Sequence, residues 1–293
     1  MQQSSIDRSR SLQGAARNAM LSMLCVALFA PRVAGTQQSF DRARDRGTGV
    51  PISMFGTYVN RGELIIYPFF EYYRDSDAEY SPNEFGFGID ADFRGRYRAS
   101  EGLILVGYGI SDRLAVEIEG AIINARLEKA SADTSAMPAL IEESGLGDVE
   151  GQLRWRWSRE TDRRPELFSY FETVFPLQKN RVLIGTQAWE FKLGTGLVRG
   201  FRWGTMTLRA AVEYDGAERS AALGEYALEY LKRISPAVLV FAGVEGSEDE
   251  VEGITELQLS LRQHVVLKLN NAIGLTSKAA DWAPEIGVMF RFR

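Results

Sequence analysis

The sequence predicts an all-β fold: a transmembrane, antiparallel, up-and-down β-barrel of about 12 strands with both termini in the periplasm. Three observations carry that expectation. In Glu285-Ile-Gly-Val-Met-Phe-Arg-Phe-Arg293, the residues Ile286, Val288, Phe290 and Phe292 share one face, while Gly287, Met289, Arg291 and Arg293 share the other. Side chains alternate sides along a strand, so this is an amphipathic strand with one apolar face. Near the N-terminus, Arg8, Arg10 and Arg17 precede the apolar run Ala19–Ala30 and the small residues of Val33-Ala-Gly35, the pattern of a secretory signal. Elsewhere no apolar run approaches the ~20 residues a membrane helix needs, so any crossing is made by strands.

The signal is assigned to residues 1–35, with processing after Ala30 or after Gly35. Cys25, the only cysteine, lies inside the apolar run behind Leu24, where a lipid-attachment site would want a small residue. The exported chain therefore has no disulfide and depends on its sheet ladder and packing. Removing residues 1–35 takes away four basic residues and one acidic residue, leaving 30 and 38 and a net charge near −8. Such a balance argues against nucleic acid as a partner.

Residues 36–60, with Arg42-Ala-Arg-Asp-Arg-Gly-Thr-Gly49, are polar and irregular; they read as a periplasmic leader or a segment tucked into the barrel mouth. The barrel itself is assigned to residues 61–293. Its strands are expected at 62–73, 93–109, 113–127, 147–158, 165–176, 188–200, 203–214, 221–231, 236–246, 252–262, 264–274 and 283–293. Their lengths are near the ~9–11 residues of a tilted crossing strand. Short links fall near Ser111-Asp112, Gly200–Trp203, Lys232–Pro236 and Arg262–His264, with Ser158–Arg164 of middling length. Between them lie the longer links 74–92, 128–146, 177–187, 215–220, 247–251 and 275–282. Short turns on one side and longer loops on the other are expected of these barrels. A short helix is expected over Ala136–Glu143.

Strand faces agree. Val149, Gly151, Leu153, Trp155 and Trp157 oppose Glu150, Gln152, Arg154 and Arg156; Leu257, Leu259 and Leu261 oppose Glu256, Gln258 and Arg262. Backbone in lipid must be fully hydrogen-bonded, so an exported lipid-facing sheet has to close. Aromatic residues fall at strand ends, with Tyr72, Phe175, Trp189, Tyr214 and Trp282 at the outer ends and Trp157, Trp203, Tyr230 and Phe292 at the periplasmic ends. Two such belts mark the lipid headgroup levels.

Gly62-Glu-Leu, Tyr108-Gly-Ile-Ser-Asp-Arg-Leu-Ala-Val-Glu-Ile118 and Gly145-Leu-Gly-Asp-Val-Glu-Gly-Gln-Leu-Arg-Trp-Arg-Trp157 resemble segments of a family of bacterial outer-membrane barrels. That family is labelled as transporters or as members of a phenol-degradation pathway. The resemblance covers most of residues 50–293 and implies an outer-membrane channel. Phe175-Pro-Leu-Gln-Lys179 departs from the family's Pro-Thr-Gly-like loop, and Arg293 follows the aromatic residue on which such barrels commonly end. Fold does not by itself determine the solute.

No catalytic site, metal site or cofactor is expected. Gly145-Leu-Gly-Asp148 lacks the Lys-Ser/Thr of a phosphate loop and reads as a loop-to-strand turn capped by Asp148. His264, the only histidine, sits at a predicted turn without a serine two residues away, so a nucleophile has no base. The acidic run Glu245–Glu252 reads as a solvated loop.

The lumen is the candidate functional site. Glu117, Glu119, Glu150, Arg154, Arg156, Glu172, Glu190, Lys192, Arg209, Glu213, Glu225, Glu229, Glu256, Arg262 and Lys268 are expected to point inward, with Arg94, Arg96 and Arg98 as a basic stripe. Rings of charge select solutes. The expected function is passive diffusion of small polar or aromatic solutes, anions among them. The alternative is a sealed structural or adhesion-type barrel acting through its outer loops. Expected partners are outer-membrane lipid and lipopolysaccharide, and assembly machinery that reads the C-terminal strand.

Overall fold

The computed structural model describes residues 45–217, 219–247 and 250–293. The assigned signal, residues 1–35, lies outside the described residues. A two-strand hairpin, β1 (Val50–Pro51) and β2 (Tyr58–Val59), precedes twelve longer strands. These are β3 (Leu64–Tyr80), β4 (Phe93–Gly109), β5 (Leu114–Glu128), β6 (Leu140–Ser158), β7 (Glu166–Phe175) and β8 (Glu190–Phe201), followed by β9 (Gly204–Asp215), β10 (Ser220–Ser235), β11 (Val238–Ser247), β12 (Glu250–Arg262), β13 (Val265–Gly274) and β14 (Ala283–Phe292).

Each long strand pairs antiparallel with its neighbours in sequence, and β14 closes the barrel on β3 through Phe292↔Leu64 and Ile286↔Phe70. The expected count of 12 strands and the up-and-down order are therefore observed. The period-2 pattern explains the orientation of each strand. On β6, Gln152, Arg154 and Arg156 are buried inside the barrel, while Leu153, Trp155 and Trp157 are exposed outside. Ile104, Ile118, Ile122, Leu193, Leu208, Leu228 and Ile286 continue the exposed apolar band around the wall. Closure leaves no edge strand with unpaired backbone in that band.

Two aromatic girdles bound the band. Toward the end bearing the longer loops, Tyr72 meets Trp282 edge-on at 6.1 Å, Phe175 meets Trp189 at 5.0 Å, and Trp189 stacks on Phe191 at 6.2 Å. At the end where β3 begins and β14 stops, Trp203 stacks on Phe201 at 4.8 Å and on Tyr230 at 5.6 Å, and Trp155 meets Trp157 at 6.0 Å. Tyr214 and Phe292 are exposed within the two girdles. The eleven steps from Trp203 to Tyr214 rise roughly 28 Å at ~3.3 Å per residue and ~40° tilt, about the height of the apolar band of an outer-membrane barrel.

Several strands outrun their expected limits. β3 continues to Tyr80, β6 starts at Leu140 and β10 runs to Ser235. Beyond the girdle, polar residues are no obstacle to a ladder, and Tyr80 packs on Leu127 and Met137. The helix expected over Ala136–Glu143 is absent, since Leu140–Glu143 pairs with Ala125–Glu128. Gly145–Asp148 likewise lies inside β6 and is not a turn before it. The sorting of links by length holds for 81–92, 129–139, 176–189 and 275–282, but β9 joins β10 through 216–219 only and β11 joins β12 through 248–249 only, since the ladders continue past the expected limits of those strands.

Candidate functional site

The β1–β2 hairpin lies in the barrel lumen at the end shared by the start of β3 and the end of β14. Its tip closes through Ile52 N–H to Thr57 O and Thr57 N–H to Met54 O, both 3.0 Å. Gly56 takes φ +61°, and a Cβ there would stand 2.5 Å from Leu231 Cδ2, so the tip needs glycine both for conformation and for space. Gly49 meets the opposite arm so closely that a Cβ would come within 1.9 Å of Val59 O.

Side chains of the wall hold every part of this hairpin. Arg156 donates to the carbonyls of Thr48, Gly49 and Asp112, and Arg291 Nη2 donates to Tyr58 O at 3.0 Å. Arg46 donates to Tyr58 Oη at 3.2 Å and pairs with Glu160. Burial and the nearby Glu166 carboxylate push the Tyr58 hydroxyl up, so it stays protonated. At the tip, Ser53 donates its amide to Glu117 Oε2 at 2.9 Å and its hydroxyl to the same oxygen. Phe55 stacks on Phe241 at 4.5 Å, and its carbonyl accepts Gln258 Nε2 at 2.9 Å. Val50, Ile52 and Val59 pack against Ile65, Tyr67, Leu105, Ala115 and Met289 of the inner wall. Glu117, Phe241 and Lys268 are each the fourth residue of their strand, which fixes the depth reached by the tip.

Beside and above the tip, opposite charges pair in the buried interior. Arg154 Nε lies 3.2 Å from Glu117 and its guanidinium 5.0 Å from the Tyr170 ring. Lys268 Nζ is 3.2 Å from Glu256 and sits over Phe55 and Tyr67 at 5.8 and 5.5 Å. Arg209 reaches Glu229 at 2.8 Å, Glu245 at 2.7 Å and Glu225, while Lys192 reaches Glu172 at 2.9 Å and Glu225 at 3.6 Å. Arg156, Glu256 and Lys268 are each 1 % exposed. Breaking such a pair costs far more than the pair contributes net, because the charge left behind is buried. The space left between the tip, Arg154, Phe168, Arg209 and Glu229 is about 20 Å³.

Toward the loop-bearing end the lumen opens and turns acidic. A cavity of about 690 Å³ is lined by Asp75, Tyr97, Leu183, Glu213 and Asp215 among others, and one of about 290 Å³ by Glu101, Glu119, Glu150, Ile184 and Glu190. The register sets carboxylates directly opposite one another, as Glu71↔Glu101, Glu71↔Glu285, Glu119↔Glu150 and Glu245↔Glu252. Like charges in that relation destabilise a sheet. The link 176–189 folds inward over this region. Ile184 is buried against Ala99 and Ala125, and Asp148 accepts the amides of Leu177, Gln178 and Thr186 at 2.7, 2.9 and 2.5 Å. Asp148 therefore secures a neighbouring loop and not a turn of its own.

Of the expected lumen residues, Glu117, Glu119, Glu150, Arg154, Arg156, Glu172, Glu190, Lys192, Arg209, Glu213, Glu225, Glu229, Glu256 and Lys268 lie on the inner side of their strands. Arg94, Arg96 and Arg98 do not. They share the parity of the exposed Ile104 and Tyr108, and so stand on the outer face. Arg262 is exposed where a register shift ends β12. The hairpin residues Ser53 and Phe55 escaped the sequence reading because 45–60 shows no periodicity. Glu71, Glu101 and Glu285 were not among the expected lumen residues, although their alternation with outward apolar or small neighbours carries the signal. His264 lies in the β12–β13 turn, where its carbonyl accepts Arg291 N–H at 3.0 Å. Among the described residues, no three His, Cys, Asp or Glu side chains converge on a point that could hold a metal ion.

No protein-family model and no curated protein matches the chain. Solved structures do. An outer-membrane channel from Pseudomonas putida F1 superposes with a TM-score of 0.62 at 15% identity, covering 83% of this chain and all of that one. The translocator domain of the autotransporter NalP from Neisseria meningitidis gives 0.51 at 10% identity, covering 80% of this chain and 89% of that one. The chain has the fold of the outer-membrane β-barrels.

Proposed function

We propose that the protein is a passive channel of the bacterial outer membrane, with its longer loops outside, its termini in the periplasm and its periplasmic mouth narrowed by the 45–60 hairpin. On this reading residues 1–35 are a cleaved export signal, and the C-terminal strand is what assembly machinery engages. The observation that carries the reading is the lumen itself: an acidic vestibule leads down to a salt-bridged constriction around the hairpin tip. The P. putida protein of the same fold is described as an outer-membrane channel.

The solute class follows from the charge. Arg94, Arg96 and Arg98, the basis for expecting anions, face outward, while the open cavities are lined by carboxylates. A pore with rings of carboxylate favours cations and neutral polar solutes over anions. The refolded protein in planar bilayers under a KCl gradient is expected to give discrete steps with a cation-selective reversal potential. Anion selectivity overturns the solute class. The small space beside the hairpin favours a second reading, a sealed barrel acting through its outer loops, and a folded, inserted, silent protein is its expected outcome.

A further inference from the structure

The outward arginines remain unused by the channel reading. The register on the outer face of β3, β4, β5 and β6 runs in rows. One row is Phe70, Gly102, Ile122 and Leu146, all apolar or glycine. The next toward the loops is Tyr72, Ser100, Asn124 and Ser144. The row after that is Arg74, Arg98, Arg126 and Glu142, three arginines in adjacent positions with a carboxylate at the β6 end. Trp282 continues the same row, because Arg74 and Trp282 exchange backbone hydrogen bonds of 3.0 and 3.1 Å.

Cross-strand neighbours stand with Cβ atoms about 5 Å apart, and like charges so placed repel. Among the described residues only Glu142, opposite Arg126, and Glu128 offset the row, both at its Arg126 end. Among the described residues Arg74 and Arg98 make no ion pair and no side-chain hydrogen bond, and Arg126 reaches only Glu128, at 3.5 Å. Glu128 is already engaged by Arg96 at 3.0 Å, and the Arg126 Nε is buried without a partner. The neighbouring basic residue behaves differently: Arg94 pairs with Glu79 at 2.8 Å and donates to Ser277 O at 2.7 Å. Trp282 shares the row of the arginines and meets Tyr72 of the girdle, so the unrelieved arginines stand at headgroup depth.

We propose that Arg74, Arg98 and Arg126 form a binding site for the phosphate groups of an anionic lipid in the leaflet that surrounds the loop-bearing end. The planar guanidinium fork suits a phosphate bidentately, and three in a row match a headgroup with two phosphates. The occupant is a lipid and not a free anion, because the row stands four residues above the outward apolar Ile122 and Phe70, where acyl chains would pack. This site rests on the reading of the barrel as membrane-embedded.

Binding of diphosphorylated lipid A, and of lipid A stripped of both phosphates, to the full refolded chain in detergent micelles tests the site. The dephosphorylated lipid is expected to bind on the order of a hundredfold more weakly. Arg74→Gln/Arg98→Gln/Arg126→Gln is expected to lose a similar factor for the phosphorylated lipid, at roughly fivefold for each arginine. Arg96→Gln, which removes a charge already paired, should bind as the parent does. Heat-modified migration in gels reports that each variant remains a closed barrel. Equal affinity for both lipids, an unchanged triple variant, or displacement of the lipid by inorganic phosphate alone overturns the site. A chain that fails to insert into bilayers overturns the membrane reading and the site with it, whereas an inserted barrel indifferent to the phosphates overturns the site alone.

Discussion

The two halves of the lumen are built on opposite electrostatic rules. Around the hairpin, each charged side chain has a partner: Glu117 with Arg154, Glu256 with Lys268, Arg156 with three backbone carbonyls. Toward the loops, Glu71, Glu101, Glu119, Glu150 and Glu285 face one another across adjacent strands. Both halves use the same strands and the same inward parity. The difference teaches that an inward charge in a barrel is paired where the interior is filled and left facing like charge where it is open. The greatest disturbance to the contrast is removal of residues 45–60. Conductance in planar bilayers is expected to rise several-fold, because the tip leaves about 20 Å³ beside Arg154 and Arg209. Equal conductance with and without the hairpin would mean that the inward-folded link 176–189 sets the limit.

Arg156→Gln tests the filled half from the wall. The guanidinium is 1 % exposed, donates to Thr48, Gly49 and Asp112, and lies 3.9 Å from Glu166. Its loss leaves a buried carboxylate and two hairpin carbonyls without their donor, a cost of about 3–5 kcal/mol. Protease cleavage within 45–60 should accelerate while the barrel stays closed to heat-modified migration. Intact protection of the hairpin would show that Val50, Ile52 and Phe55 hold it by packing alone.

Legibility in the sequence followed the same division. The barrel was readable because lipid and lumen impose a strict alternation, so β5 to β14 announce their faces residue by residue. The extensions of β3, β6 and β10 were not, because beyond the bilayer neither side demands apolar residues and Arg74–Tyr80 looks like any polar loop. The hairpin carries no period at all: two residues per arm cannot alternate visibly, and its fit depends on wall residues far away in sequence. Arg94, Arg96 and Arg98 were misassigned because alternation gives two faces without saying which is inside. Only Ile104 and Tyr108, further along the same strand, decide it.

Asp148→Asn acts on the lid of the open half, with a smaller effect. Oδ1 accepts the amides of Leu177 and Gln178, and Oδ2 accepts the amide and hydroxyl of Thr186. An asparagine keeps one acceptor and turns an NH₂ toward donors at the other. The local loss is about 1–3 kcal/mol, read as faster amide exchange at Leu177, Gln178 and Thr186 with the barrel strands unchanged. Exchange that is accelerated throughout β6 would show that Asp148 supports the wall as well as the link.

The smallest effect has the opposite sign, and for that reason it separates the halves most sharply. Glu119→Gln removes one member of the pair Glu119↔Glu150, in which like charges stand directly opposite on β5 and β6. Stability is expected to rise by about 0.2–1 kcal/mol, seen as a higher temperature of heat-modified migration, while the reversal potential moves toward zero as the vestibule loses charge. Glu256→Gln, the same chemical change in the filled half, leaves Lys268 buried without its counterion and should lower stability. Two losses of stability would mean that the vestibule carboxylates are held by cations in place, so that the open half too is neutralised, from solution and not by side chains.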